Sequence, residues 1–209
     1  MIPKTVRDFV SKTEEILGDQ LISIVLVGSF ARGDETPSSA VDLFVLVSDI
    51  DNDILKSIGH VVHGIVAQNE INPAVISKSE IQNHPDLFDI HKIRHEGKTL
   101  YGSLPDGILP VESELDVAKR IAAEVLMGSR HYLAVAEPVE KFAGGKLWSW
   151  ILKPLSYALR YYHFHNTGNY VGKYNELAQK FPILWLDPVD DHQRIIEGSI
   201  IICEKIINS

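Results

Sequence analysis

The stretch Leu21–Val47, LISIVLVGSFARGDETPSSAVDLFVLV, contains two apolar runs separated by a glycine-containing turn and a polar loop. Runs of this length and composition predict strands that are buried on both faces, here Leu21–Val27 and Val41–Val47. The turn begins at Gly28, directly after the first strand, and Asp42 stands at the start of the second. We therefore expect the turn and the carboxylate to face one cleft.

The composition of the turn is suited to binding an anion. A glycine at position 28 allows close approach of the backbone to a ligand, and the amides at the start of the next helix, with the Ser29 hydroxyl, can hold a phosphate. Arg32 adds a cation one turn later. Asp42 could hold a magnesium ion that bridges phosphate oxygens, so the turn and the carboxylate together favour a triphosphate ligand.

The residues from Gly28 to Gly33, followed by a loop ending at Ser39 and by Val41–Val45, resemble the signature of the DNA polymerase beta-like nucleotidyltransferases, in particular the minimal and kanamycin nucleotidyltransferase types. The resemblance implies a mixed sheet flanked by helices, two Mg²⁺ ions, and attack of an acceptor hydroxyl on the α-phosphate of a nucleoside triphosphate. It also implies that Gly28 and Ser29 hold the outer phosphates, and that Asp42 is the catalytic metal ligand.

Two positions depart from the pattern of that family. The family has two carboxylates separated by one residue, so that both side chains point to the same side of a strand, and here the pair is Ala40 and Asp42. The best match to a third carboxylate, on a later strand, is Asn72, which can coordinate through its amide oxygen but carries no charge. Because Mg²⁺ prefers charged oxygen ligands, we expect an incomplete metal site.

Three explanations of the incomplete site stay open at this point. Activity has been lost while nucleotide binding is retained, or a neighbouring acid replaces a ligand, or the alanine was introduced to disable the enzyme. The candidate replacement ligands are Asp34, Glu35 and Glu70. The first explanation would make the chain a catalytically silent, regulatory or antitoxin-like nucleotide-binding protein.

Helical and strand patterns surround the motif in the first half of the chain. Amphipathic helices are predicted over Thr5–Leu17 and Asp51–Gln68, and a further helix over Leu87–Glu96. A third strand is predicted over Ile71–Ile76, where Pro73 favours a sheet edge or a bulge.

A turn-rich stretch, Tyr101–Pro110, is the best linker candidate in the sequence. It predicts a nucleotidyltransferase domain over residues 1–103 and a second domain over residues 111–209. The second region is helical throughout in its pattern, which predicts a small bundle. Its predicted helices are Ser113–Val135, Lys146–His165, Lys173–Lys180 and Asp191–Ile207. The expected fold class is therefore α+β, with a carboxy-terminal helical bundle.

The helical region contains an alternative candidate site. Arg160 and His165 lie five positions apart on one predicted helix, a spacing that resembles the Arg and His pair of the HEPN family of helical ribonucleases. A guanidinium suits a phosphodiester, and an imidazole suits proton transfer. This alternative needs both side chains in one exposed groove, which such proteins often form at a dimer interface, so a homodimer is a further expectation.

Composition bounds the function classes. The formal net charge is -8 with a pI near 5.5, which does not fit a binder of duplex nucleic acid. A single cysteine, Cys203, excludes an intramolecular disulfide and is expected to be a buried thiol. No leader-like start and no long apolar run occurs, so we expect a cytoplasmic protein that does not span a membrane. The expected partners are a nucleoside triphosphate and an acceptor with a hydroxyl group.

Overall fold

The computed structural model describes residues 2–65, 70–84, 90–105, 112–135, 147–188 and 190–209. The chain forms two compact units, Met1–Val111 and Glu112–Ser209. The division falls directly after the turn-rich stretch Tyr101–Pro110, of which residues 106–110 lie outside the described residues.

The amino-terminal unit combines a four-stranded sheet with helices. Its elements are α1 (Lys4–Leu17), β1 (Leu21–Val27), α2 (Gly28–Arg32), β2 (Val41–Val47), α3 (Asn52–His63), β3 (Ile71–Ser77), α4 (Lys78–Asn83), α5 (Ile90–Glu96) and β4 (Lys98–Gly102). The strand order is β3-β2-β1-β4. Strand β1 is antiparallel to β2 and to β4, whereas β2 and β3 are parallel. This mixed sheet confirms the predicted fold class.

The central strand β1 is buried on both faces, as its apolar run predicts. Ile24 and Leu26 belong to one hydrophobic cluster, and Val25 and Val27 belong to another. Alternate side chains of a strand point to opposite faces, so two helical layers are needed to cover them. Full burial of each such side chain contributes about 1.5–3 kcal/mol, which makes this strand the centre of the unit.

The two outer strands differ in how well the sequence predicts them. Strand β3 lies at an edge, as Pro73 suggests, because proline has no N–H to donate to a ladder. Strand β4 was not predicted, since Tyr101 and Gly102 were assigned to the start of the linker. At Gly102 the backbone has φ +60, and an added Cβ would lie 2.0 Å from the Ile22 carbonyl oxygen. The glycine is therefore a tight strand end and not a linker residue.

The carboxy-terminal unit is helical in its described residues and confirms the predicted bundle. Its elements are α6 (Glu114–Val135), a π-helical turn (Trp148–Leu152), α7 (Lys153–Thr167), α8 (Tyr174–Lys180), a 3-10 turn (Pro182–Trp185) and α9 (His192–Ile207). The predicted helix start at Lys146 lies outside the described residues, as do residues 66–68 and 87–89 of two helices predicted in the first half.

The core of this unit includes Cys203, which is fully buried on α9. Burial raises the pKa of its thiol to about 12, which agrees with the expected unreactive side chain. Among the described residues, the helices are too short or too polar for one of them to cross a lipid bilayer.

Candidate functional site

The start of α2 lies directly against Asp42. In the β1–β2 ladder, Val27 stands opposite Asp42, so the residue that follows Val27 reaches the carboxylate. Gly28 has φ +73, and a Cβ added to it would lie 2.6 Å from Asp42 Oδ2. Only glycine fits both the left-handed backbone and this close approach. The predicted juxtaposition of the turn and the carboxylate is therefore present in the structure.

Asn72 joins the same group of residues from the neighbouring strand. The parallel pairing of β2 with β3 aligns Asp42 with Asn72. The Asn72 amide donates a hydrogen bond from Nδ2 to Asp42 Oδ1 at 3.0 Å. The positions at which the family resemblance expects the second and third carboxylates are thus side by side, occupied by an aspartate and an amide. Ala40 lies two residues before Asp42, just outside β2.

Arg32, at the end of α2, is engaged with two acids. Its Nη1 donates to Glu96 Oε2 at 2.7 Å, and its Nε lies 3.2 Å from Asp34 Oδ1. The Arg32 side chain is 11% exposed and that of Glu96 is 0% exposed. Asp34, one of the candidate replacement ligands, is therefore paired with a guanidinium. The other two candidates, Glu35 and Glu70, are exposed.

Comparison with known proteins identifies the family of this unit. The model of the family described as nucleotidyltransferase domain matches residues 5–87, a span that includes Gly28, Asp42 and Asn72. The amino-terminal unit is a nucleotidyltransferase domain.

Two curated relatives match the nucleotidyltransferase domain. Both are proteins of Methanocaldococcus jannaschii that bear the name "Putative protein adenylyltransferase". The first, MJ0604, is 29% identical over 102 residues, which are 47% of this chain and 96% of the relative. The second, MJ1305, is 40% identical over 50 residues, which are 24% of this chain and 34% of the relative.

A solved structure shares the fold along the whole chain. The spectinomycin adenyltransferase AAD(9) from Enterococcus faecialis, crystallised with ATP and spectinomycin, matches with a TM-score of 0.52 at 15% identity. The match covers 99% of each chain. At this level of identity the likeness concerns the fold.

The three positions at which the family resemblance expects carboxylates carry less negative charge than that pattern requires. Ala40, Asp42 and Asn72 together provide one negative charge. Rotation of the Asn72 amide would present its oxygen in place of its nitrogen, and Asp42 and Asn72 would then offer two oxygen ligands to one ion. Two unit charges about 4 Å apart attract by about 4 kcal/mol at an effective dielectric constant near 20. Each expected carboxylate that is missing would remove an attraction of this size from a bound Mg²⁺ ion.

The candidate ribonuclease pair of the helical unit is not formed. Arg160 is 1% exposed, and its guanidinium donates to the Gly172 carbonyl oxygen at 3.1 Å and to Ser156 Oγ at 2.8 Å. His165 is exposed, near the end of α7. The ribonuclease hypothesis needs both side chains in one exposed groove. A buried arginine that donates to a backbone carbonyl and a hydroxyl within its own unit does not meet that condition.

Sequence reasoning did not single out Glu96. A signal for it exists, because Glu96 continues the spacing of three that Ile90 and Ile93 begin. The buried residues of α5 are Ile90, His91, Ile93 and Glu96. An acid on the apolar stripe of a short helix requires a buried partner. The partner in the structure is Arg32, which the sequence analysis assigned to phosphate binding.

Proposed function

We propose that the nucleotidyltransferase domain binds a nucleoside triphosphate with Mg²⁺ at Gly28, Ser29 and Asp42, and transfers a nucleoside monophosphate to the hydroxyl group of an acceptor. The single observation that carries this proposal is the packing of Gly28 against the Asp42 carboxylate, 2.6 Å from an added Cβ. A glycine lets the backbone come close to a polyphosphate, and an adjacent carboxylate can bind the cation that accompanies it.

The phosphate-binding part of the proposal depends on the start of α2. Gly28 is buried and Ser29 is partly exposed, so part of the Ser29 residue can be reached from solvent. Backbone amides at a helix start carry partial positive charge, which favours an anion. Negative charge from Asp42 alone would repel a triphosphate, so a cation between the two is needed to make the site attractive.

The proposed reaction conserves all atoms. The oxygen of the acceptor hydroxyl forms a bond to the α-phosphorus, and the bond from that phosphorus to the oxygen bridging to the β-phosphate breaks. Pyrophosphate leaves, and the hydroxyl proton passes to solvent. A bound Mg²⁺ ion would neutralise charge on the phosphate oxygens. Asp42 would hold the ion, and Gly28 and Ser29 would orient the outer phosphates.

The proposed reaction specifies the acceptor only by its chemical class, a molecule with a hydroxyl group. The M. jannaschii relatives are named as protein adenylyltransferases, and the AAD(9) structure contains spectinomycin. We therefore propose a hydroxyl group on a protein side chain or on a small molecule. ATP is the first nucleotide to test, because both kinds of relative are named for adenylyl transfer.

A second candidate function is nucleotide binding without transfer. The specific observation in its favour is that Ala40 and Asn72 occupy two positions of the expected carboxylate set, and that Asn72 donates a hydrogen bond to Asp42. With a carboxylate at only one of the three expected positions, the domain could hold one ion with its triphosphate. It would then serve as a regulatory, antitoxin-like nucleotide-binding protein.

The substitution Ala40→Asp separates these two candidates. It returns an anionic ligand two residues before Asp42, so we expect Mg²⁺-dependent binding of ATP to become about threefold to tenfold tighter in calorimetric titration. Release of pyrophosphate, measured with protein and small-molecule acceptor pools, reports on transfer. Transfer by the unchanged chain supports the first candidate, and transfer only after the substitution supports the second.

Ser38→Asp is the matched control, because it adds the same charge at an exposed position of the neighbouring loop. We expect it to leave the affinity within about twofold, since an exposed charge is screened by salt. If Ala40→Asp had no more effect than Ser38→Asp, the assignment of the metal site to position 42 would be wrong.

A further inference from the structure

The ion pair of Arg32 with Glu96 in the amino-terminal unit is largely withdrawn from solvent. The contact is 2.7 Å long, and the Glu96 side chain has no exposed surface. Removing one partner of a buried pair is strongly unfavourable, because the other charge is left unpaired in a medium of low dielectric constant. Moving the Arg32 guanidinium from Glu96 to a bound ligand would therefore carry a large cost in free energy.

The position of this pair gives it a consequence for the site. Arg32 is the last residue of α2, and Gly28 is the first residue of the same five-residue helix. The Gly33 amide donates to the Ser29 carbonyl oxygen at 2.8 Å, which closes the turn behind Arg32. Gly28 packs against Asp42 at one end of α2, and Glu96 on α5 holds the other end.

We propose that Arg32 and Glu96 are positioning residues that fix the Gly28–Ser29 turn relative to Asp42, and that Arg32 does not contact the triphosphate. This inference rests on the proposed function, since it concerns the geometry of the same nucleotide site. Its physical reason is that a five-residue helix has too few internal hydrogen bonds to hold its own orientation. The ion pair ties the helix to α5, and the phosphate-binding amides are presented in one arrangement.

The variant Glu96→Gln distinguishes positioning from direct contact by the sign of its effect. If Arg32 bound phosphate directly, neutralising Glu96 would free its positive charge, and ATP affinity would stay the same or increase. If the pair positions the turn, the same substitution loosens α2, and the affinity falls. We expect ATP to bind about tenfold more weakly to this variant in the presence of Mg²⁺, because small displacements of binding groups have large effects.

The matched control is Glu204→Gln. Glu204 also accepts a hydrogen bond from an arginine at 2.7 Å, in the other unit, but the side chains of that pair are 59% and 47% exposed. The same chemical change at this surface pair should leave ATP affinity within about twofold, since exposed pairs contribute little. Circular dichroism and thermal unfolding of both variants establish that they are folded.

A second measurement uses the unchanged chain and does not depend on the folding of a variant. In ¹⁵N-labelled protein, the Arg32 Nε–H resonance is followed as Mg·ATP is added. Positioning predicts that this resonance stays near its starting position while the Gly28 and Ser29 amides shift. Direct contact predicts that the Arg32 resonance shifts together with them.

The outcomes separate this inference from the proposed function. If the unchanged chain binds no nucleotide, the proposed function fails, and the positioning role fails with it. If it binds ATP, and Glu96→Gln binds as tightly or more tightly, or the Arg32 resonance shifts with the amides, then only the positioning role is wrong. Weaker binding by Glu96→Gln, with an unmoved Arg32 resonance, supports it.

Discussion

Arg32 in the amino-terminal unit and Arg160 in the carboxy-terminal unit are both withdrawn from solvent, but their partners differ in kind. Arg32 is held by the carboxylates of Glu96 and Asp34. Arg160 donates to a carbonyl oxygen and a hydroxyl, and its guanidinium carbon lies 5.1 Å from the centre of the Tyr157 ring. Arg32 is neutralised by two acids beside the candidate site. Arg160 is hydrogen-bonded to neutral groups inside the helical bundle.

This difference indicates how each unit uses a buried charge. The Arg160 guanidinium is buried and donates to two acceptors of its own unit, so we assign it to the packing of the bundle. A guanidinium paired with acids next to Gly28 can fix the part of the domain that would meet a phosphate. We therefore expect substitutions in the helical unit to change stability, and substitutions around α2 to change nucleotide affinity.

The largest expected effect on stability is that of Arg160→Met. Methionine keeps much of the volume, but it leaves the Gly172 carbonyl and the Ser156 hydroxyl without their present donor. We expect the free energy of unfolding to fall by about 3 kcal/mol in urea denaturation, as for other losses of a buried hydrogen-bond network. ATP affinity should not change, because the Arg160 guanidinium is buried and donates to Gly172 and Ser156.

Arg194→Met serves as its control, because the Arg194 side chain is 71% exposed. Its free energy of unfolding should stay within about 0.5 kcal/mol of the starting value. A loss of ATP affinity without a loss of stability in Arg160→Met would contradict the division of roles between the two arginines.

The next effect concerns the turn itself. Gly28→Ala places a methyl group 2.6 Å from Asp42 Oδ2, so we expect ATP affinity to fall at least tenfold. Gly33→Ala is the matched control, since Gly33 has φ +77 and an added Cβ meets nothing within 4 Å. Both variants should lose about 1 kcal/mol of stability from backbone strain. Equal effects of the two on ATP affinity would show that strain, and not the approach to Asp42, matters.

The smallest expected effect is a pH dependence of the helical unit. Burial, followed by the neighbouring Lys180, lowers the pKa of His163, which lies edge-on to Phe181. The folded protein therefore takes up this proton less readily than the unfolded chain, and the free energy of unfolding falls as pH drops below about 6.5. His163→Gln should flatten this dependence between pH 7.5 and 5.5 in urea titrations.

His165→Gln is the control for that experiment, because His165 is exposed two residues further along α7. If His165→Gln flattened the profile and His163→Gln did not, the titrating group would have been assigned to the wrong histidine.

The sequence predicts the parts of the fold that depend on local pattern. The apolar runs of β1 and β2 and the spacing of α6 to α9 identify those elements, because burial imposes periodicity on a strand or a helix. Strand β4 is missed because it is short, partly exposed and ends in a glycine that resembles a linker. Its place in the sheet is fixed by pairing with β1, which is a long-range contact.

The candidate site also contains residues that the sequence predicts and residues whose contacts depend on long-range packing. Gly28, Asp42 and Asn72 are predicted together by the family resemblance, and the register of the three strands in the structure brings them together. The partner of Arg32 cannot be predicted in this way, because Glu96 is 64 residues away and belongs to another element. The burial of Arg160 likewise depends on how the helices pack, which spacing along one helix does not report.

The central claim is that Asp42 and the Gly28–Ser29 turn form a magnesium-dependent nucleotide site. Calorimetric titration of ATP and GTP, with and without Mg²⁺, into the unchanged chain and into Asp42→Ala tests it most directly. We predict binding of at least one nucleotide that requires Mg²⁺ and is lost in Asp42→Ala. Binding that is the same in both proteins, or no binding to either, would contradict the claim.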